Sequence, residues 1–147
     1  MELGTKGFEM EISNLVYTPD AMQLINDGTW VGDLKGAPGV ELLVVGMSSE
    51  AVRKARKQKT EALRLRLRNA EPSDEQLERV GHELMYEVVL KGWKGLKQNG
   101  EELEYTQELA KKFITDAGGE AFRALVVQAA SQLDAQASYL AEDLKKS

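Results

Sequence analysis

His82 is the one histidine in the chain, and on a helix it stands one turn from Glu78 and one turn from Tyr86. A Glu78–His82 pair offers a metal two ligands at most, short of the three protein ligands that a catalytic zinc or a facial-triad iron requires. The spacing therefore describes a helix-surface histidine paired weakly with a carboxylate. Serine chemistry needs a base and a strained elbow such as Gly-x-Ser-x-Gly, and Gly46-Met47-Ser48-Ser49-Glu50 supplies neither. The glycine-rich stretch from Gly32 to Gly39 lacks the Gly-Lys-Ser/Thr ending of a phosphate-binding loop, and so reads as a plain loop. Carboxylates abound, but no spacing sets two of them across a pocket. With no cysteine there is neither a disulfide framework nor a thiolate metal site. The expectation is a protein that is not an enzyme, holds no metal or cofactor, and acts by binding other proteins.

The elements that would present such a binding surface follow from periodicity. A chain of 147 residues has the length of one domain. Its organisation predicts an N-terminal β segment over 1–47 and a helical region over 48–147, an α+β, mainly helical fold. Phe8, Met10 and Ile12 alternate with Glu9 and Glu11, and Val40 to Val45 is a short β-branched run. Turn residues around Gly28, Gly32 and Pro38 bracket a further strand over Thr29 to Leu34, giving a small antiparallel sheet. A first helix is predicted from Ser48 or Ser49 to about Asn69. The second opens on a Ser73-Asp74-Glu75-Gln76 capping box, carries Leu77, Val80, Leu84 and Val88 on one face, and is expected to stop at Gly92. A third runs from a Thr106 cap to Thr115, with Leu109, Phe113 and Ile114 inward. The fourth runs from Glu120 nearly to the C-terminus.

Two faces stand out as candidate binding surfaces. In the last helix Phe122, Val126, Ala129, Leu133, Ala137, Leu140 and Leu144 fall close to a coiled-coil seam, with alanines that admit another helix closely. This seam packs either on its own domain or on another chain. In the first helix eight basic residues between Arg53 and Arg68 face one acidic residue, Glu61, a local +7 on a chain of −5 that leaves −12 elsewhere. Such segregation suits a solvated or self-docked face, an acidic protein partner or nucleic acid. The run has no aromatic side chain for base stacking and the acidic body repels a polyanion, which disfavours nucleic acid.

Between these helices lies the densest punctuation in the chain. Trp93 follows Gly92 directly, and an aromatic at that place is read as a core plug using its N–H on a nearby carbonyl, or else as an anchor facing a partner. Gly95 and Gly100 are expected to serve backbone geometry, with Gly100 at positive φ in an Asn99-Gly100 turn.

The order Val89-Leu90-Lys91-Gly92-Trp93-Lys94-Gly95-Leu96, then Asn99-Gly100-Glu101-Glu102-Leu103-Glu104-Tyr105-Thr106, then Glu108-Leu109-Ala110-Lys111-Lys112-Phe113-Ile114-Thr115-Asp116 resembles the C-terminal half of siphophage tail assembly chaperones. The basic stretch before it is similar to the Arg/Lys-rich helix such proteins carry. Glu104 departs from the proline often found before the aromatic, and Gly118-Gly119 stands where Asp-Pro is more usual.

The resemblance implies a protein made in the infected cell that coats the tape measure protein and helps tail tube subunits polymerise around it. Its partners would be the tape measure protein, the tail tube protein and further copies of itself. Trp93, Gly95, Leu96, Gly100, Tyr105 and Thr106 would be its structural signature, while the seam and Arg64, Arg66 and Arg68 would meet partners. No stretch approaches the ~18 apolar residues of a membrane helix and the N-terminus lacks a secretory pattern, so the expected location is the host cytoplasm. Two alternatives are a tail or neck component retained in the particle and, resting only on the basic helix, a small nucleic-acid-binding protein.

Overall fold

The computed structural model describes Ile12 and residues 15–146. The expected strand over Phe8, Met10 and Ile12 lies outside the described residues except for Ile12, which is exposed. Among the described residues there are five α-helices and two small antiparallel sheets, an α+β, mainly helical fold.

The first element was not anticipated as a helix. Thr18 accepts a hydrogen bond from the Ala21 amide at 3.2 Å and Pro19 presets φ for the first turn, so α1 forms over Pro19–Asp27. It ends at Gly28, whose φ of 94° only glycine adopts freely. Strand β1 (Thr29–Val31) follows, and β2 (Glu41–Val44) pairs with it antiparallel, with Trp30 opposite Leu43. The strand expected over Thr29 to Leu34 thus stops at Val31, and Leu34 instead bridges to Ala37 within the loop.

Helix α2 (Glu50–Arg66) is capped by the buried Ser49, which accepts from the Val52 amide, and it terminates ahead of Arg68 and Asn69, both at positive φ. Helix α3 (Asp74–Leu84) opens on the reciprocal Ser73–Gln76 capping box. The expected continuation of this helix to Gly92 is corrected here. The chain loosens into a π-helical turn over Met85–Val89 and then becomes β3 (Leu90–Lys94), with Gly92 inside the strand. Sheet pairing overrides helical period at this point: β3 completes the sheet in the order β1-β2-β3 and buries Leu90 and Trp93.

A bulge decides which way Trp93 points. Val44 opposes Leu90 and Leu43 opposes Gly92, so Lys91 is an extra residue on β3. Leu42 opposes Trp93, which puts Leu90 and Trp93 on the same buried side as Leu42 and Val44 despite their odd spacing. On the opposite side Gly92 leaves room for the Trp30 indole, 3.5 Å from where a Cβ would stand, and Lys94 Nζ lies 4.0 Å from the Trp30 ring centroid.

A hairpin follows, β4 (Lys97–Gln98) with β5 (Glu101–Glu102). Its turn residues Asn99 and Gly100 have φ of 53° and 82°, the pair of positive values that matches the twist of a two-residue hairpin. Helix α4 (Gln107–Thr115) is capped by Thr106, and α5 (Glu120–Lys146) then crosses the sheet and α1. Val126, Ala129, Ala130, Leu133 and Ala137 are wholly buried there with Ile25, Leu42, Val44 and Leu90.

Candidate functional site

The residues considered for chemistry serve the fold. Ser48 donates its hydroxyl to Asp134 Oδ1 at 2.7 Å and its amide to the same carboxylate, and Ser49 caps α2. His82 Nε2 lies 3.7 Å from Glu78 Oε1, and the third member of that face, Tyr86, is covered by Lys111, whose Nζ is 5.7 Å from the ring centroid. Among the described residues no three His, Cys, Asp or Glu side chains come together as a metal site.

The punctuated segment is a joint built around Trp93. The indole Nε1 donates to the Leu103 carbonyl at 2.7 Å, and the Leu103 amide donates to the Leu96 carbonyl at 2.8 Å. These two bonds strap the β4–β5 hairpin to the end of β3. Tyr105 stacks edge-on against Trp93 at 4.9 Å and donates its hydroxyl to the Leu90 carbonyl at 3.2 Å. Burial raises the Tyr105 phenol above its ordinary pKa. Phe113 from α4 and Phe122 from α5 close the cluster, 6.2 and 6.0 Å from Trp93. Gly95, at φ 83°, sits where a Cβ would lie 2.2 Å from the Gly39 carbonyl oxygen, so two chain segments meet there backbone to backbone. Leu96 is half-buried against the core, Gly100 turns the hairpin and Thr106 caps α4. One buried aromatic thus fixes β3, the hairpin, α4 and α5 relative to one another, the core-plug reading of Trp93.

The expected docking seam on α5 divides. Val126, Ala129, Leu133 and Ala137 are wholly buried in the chain's own core, and Phe122 belongs to the aromatic cluster. Those four are corrected from partner-facing to interior positions, because α1, β1 and β2 already cover that side of α5, and Phe122 is corrected to a half-buried place against Trp93 and Phe113. Leu140 packs half-buried against the core, while Leu144, beside α1 near the end of α5, stays 64% exposed. It lines an open groove with Leu24, Ala141, Asp20 and Asp27, across which Lys145 pairs with Asp20 at 2.8 Å. Tyr139, 73% exposed, lines the adjoining groove. The extent of α1 was the missing information.

The basic residues on α2 stay on the surface. Arg64, Arg66 and Arg68 are all exposed. Arg64 pairs with Glu61, and Arg66 borders the shallow groove between α2 and α3 with Arg79 and Val80. Lys59 alone reaches across, holding Glu87 at 2.7 Å and Glu83 at 3.0 Å. Its hydrogen bond to Glu87 raises the ammonium above its usual pKa, against a smaller opposing effect of burial.

The whole is a helix-dominated domain whose aromatic joint is structural and whose candidate contact surfaces are a cationic helix and a short apolar groove. Among the described residues, no helix is long and apolar enough to cross a membrane. Residues 47–147 match the family model of the YdaY prophage protein, and the chain belongs to that family and is phage-derived. The match begins at the approach to α2 and leaves α1, β1 and β2 outside it. No curated protein and no solved structure matches the chain.

Proposed function

We propose that this prophage protein is a tail assembly chaperone, a non-enzymatic protein that binds the tape measure protein in the host cytoplasm and promotes tail tube assembly around it. The observation that carries the reading is the ordered Trp-x-Gly-Leu, Asn-Gly and Tyr-Thr signature at Trp93 to Thr106, which lies inside the region matched to a prophage family and folds as one joint. An elongated helical client needs apolar surface to mask it and a charged exterior to keep the complex dispersed. Leu144, Tyr139 and Leu24 at the α1–α5 groove supply the former, and α2 with the acidic body supplies the latter.

The test is co-expression of the full chain with the tape measure protein of the same prophage. The client is expected to be soluble and to co-purify only with its chaperone, and Leu144→Asp should weaken the complex while leaving the melting curve unchanged. A tape measure protein that stays insoluble in the presence of the chain sinks the reading. The other class, a component kept in the particle, draws on β1, an edge strand of the three-stranded sheet to which a neighbour's strand could be added. Mass spectrometry of purified particles separates the two, since it requires the chain to be present in them.

A further inference from the structure

The solvent side of α2 carries a charge that the rest of the molecule answers only at Arg64, through Glu61. Arg53, Lys57 and Arg64 recur at spacings of four and seven, which places them together on the side away from the buried Val52 and Leu63. Lys54 flanks them and Arg68 follows the helix end. Apart from Lys59 and Arg64, the cations of this run, Arg53, Lys54, Arg56, Lys57, Arg66 and Arg68, make no ion pair among the described residues. Leu65, near the end of the helix, stands 68% exposed.

A matching surface of opposite sign exists on the same chain. Glu101, Glu102, Glu104 and Glu108 are exposed on the hairpin and the start of α4, likewise without an ion pair. The hairpin is held by Trp93 Nε1 on the Leu103 carbonyl and by the Leu103 amide on Leu96, so it is presented in one geometry and little ordering entropy is lost when it binds. No ion pair joins it to α2 within the chain.

We propose that the cationic face of α2 docks the acidic β4–β5 hairpin of a second copy of this chain. The contact closes as a twofold dimer where the two patches engage reciprocally, and otherwise runs head-to-tail into a ring or filament. Nucleic acid is the poorer occupant: α2 carries no aromatic side chain on which a base stacks, and the −12 outside the basic run repels a polyanion. The contact is independent of the chaperone reading, since a particle component would assemble through it equally well.

Sedimentation velocity on the full chain at low and at high salt tests it, with two charge-reversed variants. One carries Arg53→Glu, Lys57→Glu and Arg64→Glu; the other carries Glu101→Lys, Glu102→Lys and Glu104→Lys. The wild-type chain is expected to associate at low salt and dissociate at high salt. Each variant alone should associate about tenfold more weakly or not at all, and an equimolar mixture should regain the assembly, because each then meets an opposite charge on its neighbour. Where a triple reversal lowers the melting temperature, Lys57→Glu and Glu102→Lys make the same test with one change each. A wild-type chain that stays monomeric at low salt, a mixture that fails to reassemble, or salt-sensitive binding of an oligonucleotide lost on reversing α2 with sedimentation unchanged would overturn the proposal.

Discussion

Asp134, midway along α5, accepts both the hydroxyl and the amide of Ser48, the residue just before the α2 cap. One carboxylate therefore ties the long C-terminal helix to the start of the basic one. It lies so close to Gly46 that a Cβ there would stand 2.3 Å from Asp134 Oδ1 and 2.6 Å from Ile25 Cγ2. Asp134→Ala removes hydrogen bonds to a charged group and leaves the Ser48 amide without its partner, a loss of about 1.5–3 kcal/mol. Thermal denaturation should show Tm down by roughly 4–10 °C. An unchanged Tm would remove Asp134 from the structural account.

Trp93 combines packing with one directed bond, and two substitutions separate them. Trp93→Ala empties the centre of the aromatic cluster and is expected to cost about 3–5 kcal/mol. Trp93→Phe keeps most of the packing but drops the N–H to Leu103, costing about 1 kcal/mol. Its signature is local: hydrogen exchange should quicken at the Leu103 amide and leave the buried strand β2 protected. Uniform acceleration would show that the hairpin has no separate strap.

Gly95 and Gly100 share a positive φ but not their surroundings. An alanine Cβ at Gly95 would meet the Gly39 carbonyl oxygen at 2.2 Å, whereas at Gly100 nothing lies within 4 Å. Gly100→Ala should therefore lose only the conformational term, about 1 kcal/mol. Gly95→Ala adds a backbone collision and should be several times worse. Equal urea midpoints for the two variants would contradict the close approach of the two chain segments.

Alkaline pH should weaken the fold through groups whose pKa is raised in the folded state. Tyr105 has its pKa raised by burial, so the folded form keeps the phenol neutral where the unfolded chain ionises. Its stabilising effect is fully present below about pH 10, the ordinary phenol value, and is lost as pH rises through the raised one. Lys59, raised first by its hydrogen bond to Glu87, acts in the same direction: its ion pairs hold through neutral pH and fade as pH climbs beyond the usual lysine value. Denaturant titrations of wild type and Tyr105→Phe from pH 8 to pH 11 should show a shallower alkaline decline in the variant. Parallel slopes would exclude Tyr105 as a contributor.

Where the sequence carried local chemistry, it was legible. The Ser73–Gln76 capping box, the Thr106 cap and the Asn99-Gly100 turn all follow from side chains acting on their neighbours. Three features depended on distant partners. Thr18-Pro19-Asp20 is a helix start, yet α1 becomes stable only by packing Ala21 and Ile25 under α5, and the turn residues nearby read more strongly. Val88 and Val89 continue the apolar period of α3, so nothing local announces the change to strand; the pairing of Leu90 with Val44 makes it. The α5 spacing located an apolar face correctly but said nothing of its cover, which is why Val126 and Leu133 read as available and Leu144 as one of a series.

The middle position of β2 bears on how the chain matures during synthesis. Leu42 and Val44 leave the ribosome before their second neighbour, β3, which follows two helices, and before their lid, α5. Until α5 emerges, the nascent sheet leaves uncovered the apolar side on which that helix packs. A chain that stops short of α5 is therefore expected to present Leu42 and Val44 to solvent and to aggregate.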